Sequence, residues 1–312
     1  MLDTTSQNII KELFARYRQL ADCNEQALYE ISMAEVAEIV YNSNAIENST
    51  LTLEDTEAIL IRDKILKDHD IREIYEAKNL ASVMEQLIKN PDERLSSSLI
   101  LELHRKFLTG ISDSIAGRFR SGKEWVRIGV HVGANPDFVS GMVSALVDSH
   151  YSSDNQHFLD KIAYFHAEFE TIHPFNDGNG RIGRVLVNLQ LMNLGYPPII
   201  IRNKGKQTDY YPLFDEYRKT NKHSGLTELF ANLLIESLHK RIALLSSPST
   251  MRLTDWARQH GIKPNIALNK AKRQTIPAFR ISQKWMIASD YLPSDTIVDN
   301  KQAPSESQPG GL

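Results

Sequence analysis

The stretch HPFNDGNGRIGR, residues 173 to 184, restricts what this 312-residue chain can be more than any other part of it. Upstream, Phe158, Ile162, Phe165 and Phe169 recur at spacings of three and four, and downstream Ile182, Val185, Leu186 and Leu189 do the same. That spacing marks helices with one buried face, so the stretch is a bend between two core helices. Pro174 disfavours helical geometry at His173 and ends the first helix there. Gly178 and Gly180 admit backbone angles closed to other residues, which lets successive N–H groups turn toward one hollow. The second helix starts around Asn179 to Arg181 and points its unpaired N–H groups, and the positive end of its dipole, into the same space.

Such a hollow attracts phosphate. Arg181 and Arg184 are three apart, near enough around a helix to serve one polyphosphate, and guanidinium forks suit its oxygens. Asp177 repels bare phosphate but fits if magnesium lies between its carboxylate and the phosphate oxygens. His173 lies at the rim, where a neutral imidazole can take a proton from an incoming hydroxyl. Singly, GNG is a turn, His-Pro a helix end and an arginine pair a solvated surface. Their concentration at a buried junction points to a nucleotide or phosphate site.

The string resembles the signature of the Fic family, His-x-Phe-x-Asp/Glu-Gly-Asn-Gly-Arg-x-x-Arg, with every defined position filled. The resemblance spans about residues 30 to 240, strongest in the motif. Most members of that family transfer AMP from ATP to a protein hydroxyl. The resemblance implies His173 as general base, Asp177 as magnesium ligand and Gly178 to Gly180 as the anion nest. It also implies Asn179 and Arg181 on the alpha and beta phosphates, Arg184 on the gamma phosphate, and Phe175 as the anchor of the loop.

Upstream, residues 7 to 41 carry helical stripes, Ile10, Leu13, Phe14, Tyr17 and Leu20, then Ile31, Val36, Ile39 and Val40. Tyr41 to Ser49, YNSNAIENS, reads as a helix end and turn, since Asn and Ser cap and break helices. Within it Ser43, Glu47 and Asn48 match the family's inhibitory pattern, Ser/Thr-x-x-x-Glu-Gly/Asn. The resemblance implies an inhibitory helix over about 30–48, with Glu47 pairing with Arg184 and drawing it off the gamma phosphate.

Thr52 with Asp55 forms a helix-capping pattern, and helical periodicity continues through Asn79 to Leu87 and Leu95 to Leu108, where His104 reads as a packed histidine. From Ala116 to Val130 the period becomes two and Ser121-Gly122 supplies a turn, which predicts a hairpin at about 116–130. The family uses a flap here to lay a target segment across the site. His150, His157 and His166 lack the compact spacing of a zinc cluster. Tyr210 and Tyr211 open an apolar-aromatic helical face. Such aromatics are usually core, and the resemblance implies that one of the two borders the adenine.

SSPS, residues 246 to 249, is the clearest domain boundary. Beyond it, residues 250 to 290 carry eight Lys or Arg against two Asp, whereas the whole chain has a formal charge of -3. Helix, glycine turn, basic helix and wing resemble an excisionase-type winged helix-turn-helix. Lys270, Lys272 and Arg273 are candidates for DNA phosphates, Asn265 and Asn269 for base edges, and Arg280 for the wing.

The expected fold is mainly α, a Fic-type helical core with a small β-hairpin flap plus a small C-terminal winged helix domain. Its parts are an N-terminal helical region (1–109), a catalytic core (110–245), the winged helix (246–293) and a flexible tail (294–312). One cysteine, Cys23, excludes an internal disulfide. With no membrane-length apolar run and no signal-peptide pattern, a cytoplasmic location is the expectation. The expected activity is adenylyltransfer with ATP and magnesium onto a Ser, Thr or Tyr hydroxyl of a target protein, or of the chain itself. The rivals are removal of AMP through the same pocket, with Glu47 orienting water, and a nucleotide-sensing, DNA-binding regulator. A homodimer is the expected assembly if the C-terminal module binds duplex DNA.

Overall fold

The computed structural model describes residues 1–152 and 156–293. The tail expected at 294–312 lies outside the described residues.

Five helices come first: α1 (Thr4–Ala21), α2 (Glu25–Ile46), α3 (Leu53–Ile61), α4 (Ile71–Lys89) and α5 (Ser97–Leu108). A two-stranded hairpin, β1 (Arg127–Ile128) and β2 (His131–Val132), precedes α6 (Val139–Ser152), α7 (Phe158–Ile172) and α8 (Asn179–Asn193). A π-helical turn at Lys206–Tyr210 leads into α9 (Tyr211–Thr220) and α10 (Ser224–Ser246). The C-terminal module contains β3 (Thr250–Arg252), α11 (Leu253–Gln259), α12 (Pro264–Lys272), β4 (Phe279–Ile281) and β5 (Lys284–Ala288). Its antiparallel sheet has the order β3-β5-β4.

Helix α8 is the axis. Residues Arg181 to Met192 are buried all round, as befits a helix packed on every side. Its Ile182, Val185, Leu186 and Leu189 join Val36, Met84, Leu103, Phe107, Phe169 and Phe175 in one apolar cluster. Its Val187 and Leu191 join Ile10, Ile162, Leu226, Phe230 and Leu234 in a second. Each such side chain contributes about 1.5–3 kcal/mol by leaving water. Because α4 and α5 share the first cluster with α7 and α8, residues 1–109 and 110–245 are halves of one core. The C-terminal module has its own small core around Leu253, Trp256, Ala257, Ala271 and Ile287. Phe279 and Ala288 seat it on Ala243 of α10.

Two local expectations are corrected. The Tyr41–Ser49 stretch does not interrupt the helix: α2 continues to Ile46 and turns only at Asn48, with φ of 69°. Its polar side chains find distant partners, Asn42 accepting from the Asn203 backbone N–H and Ser43 meeting Arg184, and these outweigh local turn preference. The hairpin lies at 127–132 rather than 116–130, pairing Arg127 with Val132 and Ile128 with His131 across Gly129 and Val130. Gly129, at φ of 58°, supplies the turn expected of Ser121-Gly122. The Thr52–Asp55 capping box is present in both directions.

Candidate active site

Helix α7 ends at His173, which adopts a left-handed conformation (φ 53°, ψ 66°). For a non-glycine residue that geometry costs about 1–3 kcal/mol and persists only where its surroundings impose it. Arg120 does so from within the core. Its Nε donates to the His173 carbonyl at 2.7 Å, and its Nη2 to the Ile172 and Ala134 carbonyls at 2.8 and 2.5 Å. The hairpin is fastened to the same helix end, His131 Nε2 meeting the Thr171 carbonyl at 3.0 Å. Burial pushes the His173 imidazole down to about 4, against the opposing pull of the Glu170 main-chain carbonyl and the Glu47 charge. His173 is therefore neutral at pH 7, the form a base requires.

The loop that follows is fixed from both sides. Asn179 bonds the Phe175 N–H and carbonyl through its side-chain amide, each at 2.8 Å, and is itself buried. The Asn179 side-chain amide is thus engaged within the loop, and its backbone N–H lies at the start of α8. Phe175 stacks on His104 at 3.6 Å, while His104 bridges the Asp177 carbonyl and the Gly117 N–H, both at 3.0 Å. His104 is the packed residue its helical face predicts. Gly178 takes φ of 83°, and a Cβ there would meet Phe107 at 3.1 Å.

Helix α8 begins at Asn179, and the tip of α2 fills the hollow in front of it. A side chain at Gly180 would run into the Glu47 carboxylate. Arg184 donates from Nη2 to Glu47 Oε1 at 2.8 Å and from Nε to Ser43 Oγ at 2.9 Å. A further bond runs from Nη2 to the Ser43 carbonyl at 2.9 Å. Burial pushes the Glu47 carboxyl up, but Arg184 outweighs it and holds the group below the usual range. Asn48 is bonded to Lys206 and shapes the helix exit, accepting from Lys206 Nζ at 2.8 Å, and the same ammonium caps the Ala45 and Ile46 carbonyls at 2.9 Å.

Asp177 is held by Arg181 at 2.8 Å and by Arg72 of α4, while Arg181 also pairs with Glu76 at 2.7 Å. Burial pushes its carboxyl up, yet Arg181 and Arg72 keep it below the ordinary aspartate range. Among the described residues no group of three or more His, Cys, Asp or Glu converges on a metal position. One ionised carboxylate beside an anion nest suits magnesium, which takes few protein ligands and completes its shell with phosphate oxygens and water.

Tyr210 is buried in the core with its hydroxyl 2.7 Å from His166 Nε2, and the Tyr211 hydroxyl donates to the Ile46 carbonyl at 2.7 Å. Both tyrosine hydroxyls are thereby engaged within the protein. In the C-terminal module Asn265, Asn269, Lys272 and Arg273 are exposed and Lys270 is half-buried. Arg280 is not a free wing residue. Its Nε bonds Glu236 of α10 at 2.9 Å and its guanidinium lies 4.6 Å from the Trp285 ring, because nearly buried Glu236 must be neutralised. Leu268 and Lys272 line a cleft of about 790 Å³ between the module and the loop at 201–210, so part of α12 faces the helical core.

Arg72, Glu76 and Arg120 escaped sequence reading. Arg72 and Glu76 look like any i,i+4 surface pair, and Arg120 like any basic residue near a glycine.

Residues 94–191 match the family model described as Fic/DOC family, a segment that contains the whole stretch 173–184. "Protein adenylyltransferase Fic" of Nematostella vectensis is 34% identical over 192 residues, covering 60% of this chain and 43% of that protein. "Protein adenylyltransferase fic-1" of Caenorhabditis elegans is 32% identical over 170 residues, covering 52% of this chain and 33% of that protein. The chain thus spans less than half the length of these curated relatives. A Fic domain containing signaling protein from Bacteroides thetaiotaomicron superposes with a TM-score of 0.67 at 25% identity, over 75% of this chain and 96% of that one. A Fic family protein from Desulfovibrio desulfuricans shares the fold over 94% of this chain and 98% of its own, with a TM-score of 0.66 at 24% identity. Residues 94–191 are thus similar to the Fic/DOC family and the chain to known Fic adenylyltransferases, and the structure has a mainly α-helical Fic-like core with a small β-hairpin.

Proposed function

We propose that this protein transfers AMP from ATP to a Ser, Thr or Tyr hydroxyl of a target protein, and that Glu47 restrains the reaction. The observation that carries the reading is a neutral His173 at the rim of an anion nest whose arginine, Arg184, is paired with a carboxylate from another helix. The incoming hydroxyl attacks the alpha phosphorus, its proton passes to Nε2 of His173, and pyrophosphate leaves. Backbone N–H groups around Gly178 to Gly180, with Arg181 and Arg184, bind and orient the triphosphate. Magnesium, held by Asp177 and the phosphates, would neutralise charge on the leaving group. The exposed Gly129–Val130 turn, beside the His173 end of α7, is suited to lay a target segment along the β1–β2 edge.

Glu47 occupies the space a gamma phosphate needs and binds the arginine that would hold it. Protein labelling with ATP tagged at the alpha phosphate tests this, comparing wild type, Glu47→Gly and Glu47→Gly with His173→Ala. Label in the Glu47→Gly protein that vanishes with His173→Ala supports transfer; nucleotide binding without label in either supports sensing. The one-third exposure of Glu47 inside the nest also favours a second reading, in which its carboxylate orients water to release AMP from a modified protein. Release of label from a premodified target distinguishes that reaction.

A DNA role for the C-terminal module rests on exposed Asn265, Asn269, Lys272 and Arg273. Leu268 and Lys272 of the same helix also line the cleft toward the core, so freeing the module from α10 would uncover more of this helix to a duplex. A salt-dependent duplex affinity that rises in Glu236→Gln tests this reading.

A further inference from the structure

Deep behind the catalytic loop lies a carboxyl group that the reaction as written does not use. Glu170 is one turn before His173 on α7, and its Oε2 is 3.7 Å from His173 Nδ1. Both side chains are largely enclosed, at 12% and 18% exposure. Neither His173 Nδ1 nor Glu170 Oε1 has another hydrogen-bond partner. Oε1 is pressed against Gly183 of α8, where any side chain would collide with it and would also meet the His166 ring at 3.1 Å. A buried imidazole nitrogen and a buried carboxyl 3.7 Å apart, each with a polar atom left unsatisfied, form a pair that a small side-chain rotation closes, in competition with the Glu170 main-chain carbonyl.

We propose that Glu170 is a positioning residue: its carboxylate accepts a hydrogen bond from Nδ1–H of His173, leaving the Nε2 lone pair directed at the incoming hydroxyl. The inference rests on the transferase reading above. When Nε2 takes the hydroxyl proton, Nδ1–H stays on the ring and the carboxylate stabilises the resulting imidazolium, with no proton passing to Glu170. The same division of labour operates wherever a carboxylate orients a catalytic histidine.

The surroundings of Glu170 connect this role to the restraint by Glu47. Burial pushes the Glu170 carboxyl up to about 8; Arg184 of α8 pulls it down, Glu47 of α2 pushes it further up, and Arg218 of α9 pulls it down. The neighbouring His166 is neutral, since burial pushes it to about 3. With Glu47 seated, Glu170 is therefore largely protonated at pH 7. A protonated carboxyl donates to Nδ1 and moves the imidazole proton to Nε2, the tautomer that cannot act as a base. Removing Glu47 takes away one negative neighbour and frees Arg184 to draw Glu170 toward its ionised form.

The test compares Glu170→Gln and Glu170→Ala with the parent, all in the Glu47→Gly protein. Two readouts are followed: steady-state labelling from about pH 6 to pH 9, and the ¹⁵N signals of His173 with a non-hydrolysable ATP analogue and magnesium. We expect kcat to fall about 10-fold or more in both variants, since losing the partner of a metal-bound histidine costs about 10–100-fold and losing the carboxylate of a catalytic triad about 10⁴-fold. KM for ATP should stay within about twofold and melting temperature should hold, so that the loss lies in the chemical step. The rise of kcat with pH in the parent should be absent from both variants. His173 should carry its proton on Nδ1 in the parent at high pH and lose that preference in Glu170→Ala. Unchanged kcat, pH profile and tautomer would overturn the assignment, as would a loss of activity that tracks a fall in melting temperature. If the parent transfers no label, the transferase reading fails by itself, and the ¹⁵N tautomer still decides for or against Glu170.

Discussion

Helix α2 carries two sets of acid–base pairs that look alike in chemistry and differ in surroundings. Midway along it, Glu35 meets Arg241 at 2.6 Å and Lys240 at 2.7 Å, and Glu38 meets Arg202 at 2.6 Å. At its tip, Glu47 meets Arg184 at 2.8 Å. The Glu35 and Arg241 side chains are 6% and 1% exposed, whereas Glu47 is 33% exposed. Breaking a sealed pair strands a charge away from water, whereas at the tip a freed Glu47 can solvate and Arg184, 6% exposed, keeps its bonds to Ser43. The mid-helix pairs therefore act as a clamp, and the terminal pair is the latch of the proposed restraint. Arg202 also reaches Glu236, which binds Arg280, so the clamp extends to the C-terminal module.

The largest effect expected concerns what the latch guards. His173→Ala in the Glu47→Gly protein should lower transfer by about 10²–10⁴-fold with nucleotide affinity retained, measured by labelling and calorimetry. Equal loss of binding would mean that the hollow depends on the histidine and that latch and base are inseparable. Next, Glu35→Ala should destabilise the fold by about 3–5 kcal/mol in denaturant titration, by stranding Arg241 and Lys240. Glu47→Gly should cost less stability than Glu35→Ala, because Arg184 keeps its two bonds to Ser43 and the vacated hollow admits water, and it should raise self-labelling about 10–100-fold, since a charged hydrogen bond is worth about 1.5–3 kcal/mol. If the two variants were equally destabilised, the distinction between clamp and latch would be lost.

Acid sharpens the same contrast. Burial pushes the Glu35 carboxyl up, but Arg241 and Lys240 outweigh it and hold the group below the usual range. Its contribution is fully present above the unfolded value of about 4.3 and is lost as pH falls through the folded one. Acid titration of wild type should therefore show a loss of stability below about pH 4 that is smaller in Glu35→Gln. Smallest of all, Thr52→Ala should cost about 1 kcal/mol by removing the cap of α3, and should leave labelling unaltered.

The catalytic loop was largely legible because its contacts are local. Phe175 and Asn179 bond each other four residues apart, Gly178 needs its positive φ for a turn inside the motif, and Pro174 ends a helix at its own neighbour. The pairing of Glu47 with Arg184 was legible only through family resemblance, since the residues alone suggested that α2 stops near Tyr41. Nothing in the local pattern separates Arg120 or Arg72 from surface residues, or reveals that Arg280 faces Glu236 rather than solvent.

By itself the sequence determined a glycine-bearing bend between two buried helices and the place of His173 at the end of the first, because backbone angles and helix ends are set within a few residues. Only the tertiary structure decided what those groups face. Arg184 meets Ser43 across 141 positions, Arg72 meets Asp177 across 105, and Arg120 holds His173 across 53. A charge taken out of water must find a partner wherever the packed helices bring one, and no local spacing rule contains that information.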